Sequence, residues 1–321
     1  MGFKDVFNRV KKLFLRFWRS DNTKISILRD VLVAFLMVFI ILIALWTYTG
    51  QWFGAPMVAI ESGSMMHLDE PFARIGTIDA GDMVLLVKVT TRHDVTTYGS
   101  SNDYQYGKKG DVIVYRPYGN ENLDQIIHRA MCWVDVNYEG SNKTYTIEEY
   151  DIYNHDASDP LYLPEIGIIN TVKGNSGVKL NWSHSGFITK GDNPHTNSYC
   201  DQVGGICDEL IKIQWISGKA RGEMPWVGTI NLLFNDIISG KSTVSNVPQD
   251  SIICLILLIG FLVSIPVTLD IYSYYNDKKI EKKTEPKTQS PITPDIEHPT
   301  KPKTQTKKGL KDKLKNIFKI K

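Results

Sequence analysis

Four short elements of the sequence carry residues able to act on one another. The first is Glu61-Ser62-Gly63-Ser64-Met65, and the second is Gly110-Asp111-Val112-Ile113-Val114-Tyr115 followed by Ile126-Ile127-His128-Arg129. The third is Ile188-Thr189-Lys190-Gly191-Asp192-Asn193 with Asp201-Gln202 beyond it. The fourth is Gly218-Lys219-Ala220-Arg221, then Pro225-Trp226-Val227-Gly228. A serine hydroxyl is a poor nucleophile until a base takes its proton, and an imidazole does so near neutral pH. A carboxylate can hold that imidazole in the right tautomer and stabilise it once charged. Singly, each element is ordinary: a serine between glycine and methionine usually makes a turn, and a histidine after two isoleucines usually packs in a strand. Together, a serine, a histidine and aspartates at the edges of strand-like runs point to nucleophilic catalysis. Metal chemistry has no such support, because the seven histidines lack a ligand spacing such as HExxH and there is no P-loop or CxxC pair.

The elements that must position these residues read as mainly β. Residues 83–89, 112–115, 126–127 leading to His128, and 144–147 are short β-rich runs. Gly81-Asp82 and Gly110-Asp111 precede two of them, as turn residues do. No long amphipathic helical period appears between 60 and 225. Segments 92–110 and 135–185, rich in Tyr, Asn, Asp, Ser and Gly, read as insertions or a small extra β lobe.

The 321 residues hold 37 Lys and Arg against 35 Asp and Glu, a balance that gives little reason to expect a nucleic-acid partner. The charge is segregated, however. Residues 1–30 hold eight basic and three acidic side chains, residues 271–321 hold fourteen lysines and six acids, and the middle is acidic. Uncharged apolar runs at 31–46 and 251–269 border that middle, each near the ~20 residues a membrane-crossing helix needs. A long basic lead and the lack of an A-x-A-like site mark the first run as an uncleaved signal anchor. The expected layout is a cytosolic basic amphipathic segment (1–30), a first span (31–49) and an extracytoplasmic domain (50–250). A second span (251–270) and a cytosolic Lys-rich tail (271–321) complete it, with both termini inside by the positive-inside rule. Phe3, Val6, Phe7, Val10, Phe14 and Phe17 fall at helical spacing, as do Leu310, Leu314, Ile317 and Phe318. Basic amphipathic helices on an anionic leaflet, or solvated tails, fit these patterns. Residues 284–306 form a Pro-, Thr- and Lys-rich linker. Cys200 and Cys207 either pair or remain free thiols, and Asn142-Lys143-Thr144 and Asn181-Trp182-Ser183 are sequons.

In this order after an apolar anchor, SGSM, GD-VIVY-R with IIHR, ITKGDN with DQ, and GKARG with PWVG resemble type I signal peptidases of the archaeal and endoplasmic-reticulum branch. The bacterial branch has a lysine base where this sequence has His128. The resemblance covers roughly 52–92, 110–134 and 186–232. It implies a signal-peptidase-like β catalytic domain with inserted β-rich loops, flanked by two transmembrane helices. It further implies Ser64 as nucleophile, His128 as general base, Asp201 as the triad carboxylate and Asp192 as a supporting one. The gap between the two aspartates exceeds the family spacing, which keeps Asp208 in contention. The Ser64 backbone N–H and the Ser62 hydroxyl would bind the oxyanion. His67 stands where many relatives have proline and is a rival base. The implied partners are preproteins bearing signal peptides, the lipid bilayer and the protein-export translocon, and no cofactor is called for. The apolar run 57–60 is expected to dip into lipid. Three alternatives stand beside this reading: a self-cleaving regulator, a catalytically silent anchored binding module, and a specialised peptidase with few substrates.

Overall fold

The structure is a computed structural model that describes residues 3–20, 22–52, 54–169 and 180–284. In chain order the strands are β1 (Met57–Ala59), β2 (Met83–Val87), β3 (Tyr104–Gln105), β4 (Lys108–Lys109) and β5 (Val112–Tyr115). They continue with β6 (Ile126–Glu139), β7 (Asn142–Ile147), β8 (Ile152–Asp156), β9 (Gly186–Lys190) and β10 (Ile216–Met224). The helices are α1 (Phe3–Trp18), α2 (Thr23–Thr49), α3 (Asp201–Gly204), α4 (Gly228–Ser239) and α5 (Gln249–Thr284). The protein is thus mainly antiparallel β, with an eight-stranded sheet ordered β1-β2-β10-β5-β6-β7-β8 and β9 paired to β6. β3 and β4 form a separate hairpin.

Period-two alternation explains why β5 lies at the centre. Val112 and Val114 enter one core with Ile60, Met65, Ile78, Val84, Leu86, Ile127 and Ala220. Ile113 and Tyr115, pointing the other way, enter a second core with Ala130, Trp133, Phe187 and Ile211. A strand buried on both faces has no use for polar alternation, hence VIVY. β6 is the spine. Its first residues pair with β5 in the register Val112↔Arg129 and Ile113↔His128, while Arg129 to Val134 pair with β9 on the other side. Its far end, 135–139, pairs with β7, which pairs with β8. The described residues of 135–185 therefore build an extra β lobe, whose core around Tyr145, Ile147, Ile166, Ile168 and Trp182 continues into Ile188, Cys200 and Leu210. Gly110 turns the chain into β5 at φ +79°, where a Cβ would fall 2.5 Å from the Tyr98 amide nitrogen.

Several expectations change. β2 stops at Val87, and β7 begins at Asn142. Residues 57–60 do not form an exposed lipid-facing run, because Met57–Ala59 make strand β1, half-buried, and Ile60 is buried at 2% exposure. The four cysteines are free and buried, so Cys200 and Cys207 do not pair. α4 had no counterpart in the sequence reading. Two helices are long and apolar enough to cross a membrane, Thr23–Thr49 and Gln249–Lys279. Each extends beyond its apolar run, and 27 residues of helix span about 40 Å. Two compact units divide the chain, Met1–Val263 and Ser264–Lys321, and the described part of the second is the continuation of α5. The C-terminal amphipathic pattern and most of the linker lie outside the described residues.

Trp182 tests the lobe. It is buried, packs tilted against the Tyr145 ring at 5.2 Å and donates its indole N–H to the Asp208 carbonyl at 3.1 Å. Trp182→Ala is expected to lower folding stability by about 3–5 kcal/mol, read from a urea titration of the detergent-solubilised chain. A change below about 1 kcal/mol would mean the lobe core does not depend on it.

Candidate active site

Ser64 sits in the turn after β1, and its surroundings hold that turn by its carbonyls. Asn193 donates its backbone N–H to the Ser64 carbonyl at 2.9 Å and its side-chain amide to the Gly63 carbonyl at 2.7 Å. The Asn197 side chain adds a second bond to the Ser64 carbonyl at 3.0 Å. Gly191 permits this approach, since a Cβ there would fall 2.7 Å from the Ser64 oxygen and 2.5 Å from the Asn197 side chain. Met65, buried in the core beneath, anchors the next residue. Among the described residues the Ser64 N–H has no hydrogen-bond partner, which leaves it available to an oxyanion. The Ser62 hydroxyl lies 3.4 Å from the Ser64 hydroxyl, at the long end of hydrogen bonding.

His128 is buried on β6, on the face it shares with its partner Ile113 and with Tyr115. Its Nδ1 lies 2.8 Å from both carboxylate oxygens of Asp201. Asp201, the first residue of α3, also accepts from the Tyr115 hydroxyl at 2.7 Å and the Thr189 hydroxyl at 2.6 Å. Burial, reinforced by the Asp201 charge, pushes the Tyr115 phenol far above its usual range, so it remains a donor. With Asp201 as acceptor, the imidazole carries its proton on Nδ1 and keeps the Nε2 lone pair for use as a base. Ser62, Ser64 and His128 line one cleft of about 640 Å³, together with Val58, Ala59, the 121–125 turn and the start of β6. No hydrogen bond joins Ser64 to His128 among the described residues, and such bonds often tighten only when substrate binds.

Asp192 serves a different partner. Arg129, next to His128 on β6 and wholly buried, meets it through Nε at 2.9 Å and Nη2 at 2.5 Å. Arg129 also donates to the carbonyls of Gln105, Tyr106, Lys108, Lys109 and Gly110, gathering the β3–β4 hairpin. The rival base His67 is occupied here too, with its Nε2 3.1 Å from Asp192. Asp208 lies apart from His128 and accepts from the Tyr118 hydroxyl at 2.8 Å. Of the three aspartates in contention, the structure therefore brings Asp201 to His128. Lys219 and Arg221 bind Asp111 at 3.2 and 2.8 Å, so the fourth element ties β10 to the head of β5.

Tyr115, Thr189, Arg129 and Asn197 escaped functional assignment from sequence. A usable signal existed for the first two: a tyrosine ending VIVY and a threonine in FITK are polar groups in apolar strands, and such groups find partners when buried. Asn197 stands in a polar loop with no comparable cue.

Asp192 gives a pH test. Its burial alone would raise its pKa, but the hydrogen bonds from His67 and Arg129 outweigh this and hold it below its ordinary value. Unfolded, an aspartate titrates near pH ~4. Ionised Asp192 therefore contributes stability that is fully present above that pH and is lost as pH falls through the lowered folded value. On acidification below about pH 4, the wild type should lose stability more steeply than Asp192→Asn, measured by urea titration at each pH. Equal slopes would refute the assignment.

No family model matches the chain, and no curated protein sequence matches it either.

Proposed function

We propose that this chain is a membrane-anchored serine endopeptidase that removes N-terminal signal peptides from exported preproteins, in the manner of a Ser-His-Asp type I signal peptidase. The observation that carries the proposal is the arrangement in one cleft. Ser64 and His128 line it, and behind His128 a buried Asp201 fixes the ring through Nδ1 at 2.8 Å.

In this reading His128 Nε2 takes the hydroxyl proton as Ser64 Oγ attacks the scissile carbonyl. The carbonyl electron pair moves onto oxygen, where the Ser64 N–H and the Ser62 hydroxyl receive it. The intermediate collapses, the C–N bond breaks, and the imidazolium gives its proton to the leaving amine. Water, deprotonated by His128, then hydrolyses the acyl-enzyme. Asp201 stabilises the imidazolium each time it forms.

The substrate path follows from the sheet. β1 is an edge strand whose outer N–H and C=O groups are unpaired by the sheet, and its residues Val58 and Ala59 line the cleft. An extended peptide laid along β1 would pair main chain to main chain, with its scissile bond carried past the Ser64 turn. The family resemblance implies small side chains before that bond. Both apolar helices expose their long hydrophobic side chains, among them Phe35, Leu36 and Met37 on α2 and Phe261 and Leu262 on α5, as lipid-facing helices do. With basic segments held in the cytosol, the β domain would stand on the opposite side of the membrane, beside the translocon exit.

In a preprotein cleavage assay with the full chain in detergent, Ser64→Ala and His128→Ala should each lower kcat by about 10⁴-fold or more, and Asp201→Asn by about 10⁴-fold. His128→Lys should not restore full activity, and Asp208→Ala should cleave near the wild-type rate. Wild-type cleavage by Ser64→Ala would sink the proposal, and binding of preproteins without cleavage would favour an anchored binding module.

A further inference from the structure

An anchor needs only apolar length, yet the entry to α5 makes polar contacts that anchoring does not require. The Asn246 side chain donates to the Glu61 carbonyl at 3.0 Å, three residues before Ser64. Asp250, in the first turn of α5, accepts the Ala73 N–H at 3.3 Å and the Arg74 Nε at 3.2 Å through each oxygen. Arg74 in turn donates to Glu70, and the other Glu70 oxygen accepts the His67 backbone N–H, three residues after Ser64. Between the two polar contacts, Val247 is buried against Gly81, where an added Cβ would fall 2.8 Å from its Cγ1. The Gly81 N–H bonds the Ile60 carbonyl at 2.9 Å. Residues 246–250 therefore bond the Ser64 loop directly at Glu61, Ala73 and Arg74, and reach Ile60 through Gly81 and His67 through Arg74 and Glu70.

The loop is shaped by these contacts. Ala73 and Arg74 both hold positive φ, +74° and +49°, a conformation that non-glycine residues keep only where surroundings impose it. Arg74 is largely shielded, and three carboxylates surround it: Glu70, Asp79 and Asp250. Burial, reinforced by a hydrogen bond with Glu70, pushes Asp79 up to about 8, so that it carries a proton at neutral pH. Glu70 and Asp250 make the closer contacts to the guanidinium, with Asp79 farther off at 3.5 Å.

We propose that Asn246 and Asp250 are positioning residues for the candidate nucleophile, so that the second apolar helix holds the Ser64 loop in place and does not merely tether the domain. The kinetic half of the proposal rests on the peptidase reading; the structural half does not. The test uses the full chain in lipid nanodiscs, with Asp250→Asn, Asn246→Ala and their combination. Backbone hydrogen exchange across 61–74 should speed up by about 10-fold or more in the combined variant, while β6 and β7 keep their protection. Its preprotein kcat should fall by about 10- to 100-fold with KM within about two-fold, because displacement of a reacting atom by about 1 Å costs on that scale. Unchanged exchange in 61–74 would overturn the proposal, and so would an equal loss of protection in β6, which marks a general loosening. If the wild type cleaves no preprotein, the peptidase reading fails, and the exchange measurement still decides whether α5 holds the loop.

Discussion

Burying two basic side chains in succession on one strand constrains everything around them. His128 and Arg129 are neighbours on β6, so the pleat sends them to opposite faces. A buried charge without a partner is costly, and a guanidinium cannot shed its charge. The arginine's face must therefore supply a carboxylate, Asp192, while the buried ring N–H of the histidine needs an acceptor, which Asp201 provides. Both come from the connection that leaves β9, the strand hydrogen-bonded to β6 at that level through Arg129↔Lys190 and Ala130↔Thr189. The same connection supplies Asn193 and Asn197, which hold the Ser64 carbonyl. One strand pairing thus sets the candidate base, its carboxylate and the turn of the candidate nucleophile.

Around that pairing the molecule separates its tasks. β5, buried on both faces, supports the site from the centre of the sheet, and Tyr115 at its end carries the support to Asp201. Arg129 closes the β3–β4 hairpin over the other face through its bonds to carbonyls. The core of the outer lobe runs back toward the site, joining it through β6, through Ile188 on β9 and through Cys200, the residue before Asp201.

What could be read in the sequence was local. The strand character of VIVY, the polarity-free lengths of α2 and α5, and the residue types of the four elements all depend on near neighbours. The acid partner of His128 was not local: Asp201 and Asp208 lie seven residues apart, and spacing could not choose between them. The structure separates them because α3 opens on Asp201 beneath Tyr115 and Thr189, while Asp208 meets Tyr118. The clamp on the Ser64 loop joins Arg74 to Asp250 across 176 positions, a contact no short pattern announces. β1 has three residues, too few for alternation to show, and so its apolar run read as exposed when Ile60 in fact closes a core.

The charges of the chain fall into two populations that answer differently to ionic strength. Arg9, Lys11, Lys12 and Arg16 on α1 are exposed, and their field fades over a Debye length of about 8 Å in physiological salt. The Arg129–Asp192 pair lies at 0% and 4% side-chain exposure, where counterions do not reach it. Any attraction of α1 to an anionic surface is therefore tunable by salt, whereas the charges that shape the centre of the β domain are indifferent to it. A change of ionic medium would alter how strongly the amino-terminal helix is drawn to such a surface while leaving the Arg129–Asp192 geometry as it is.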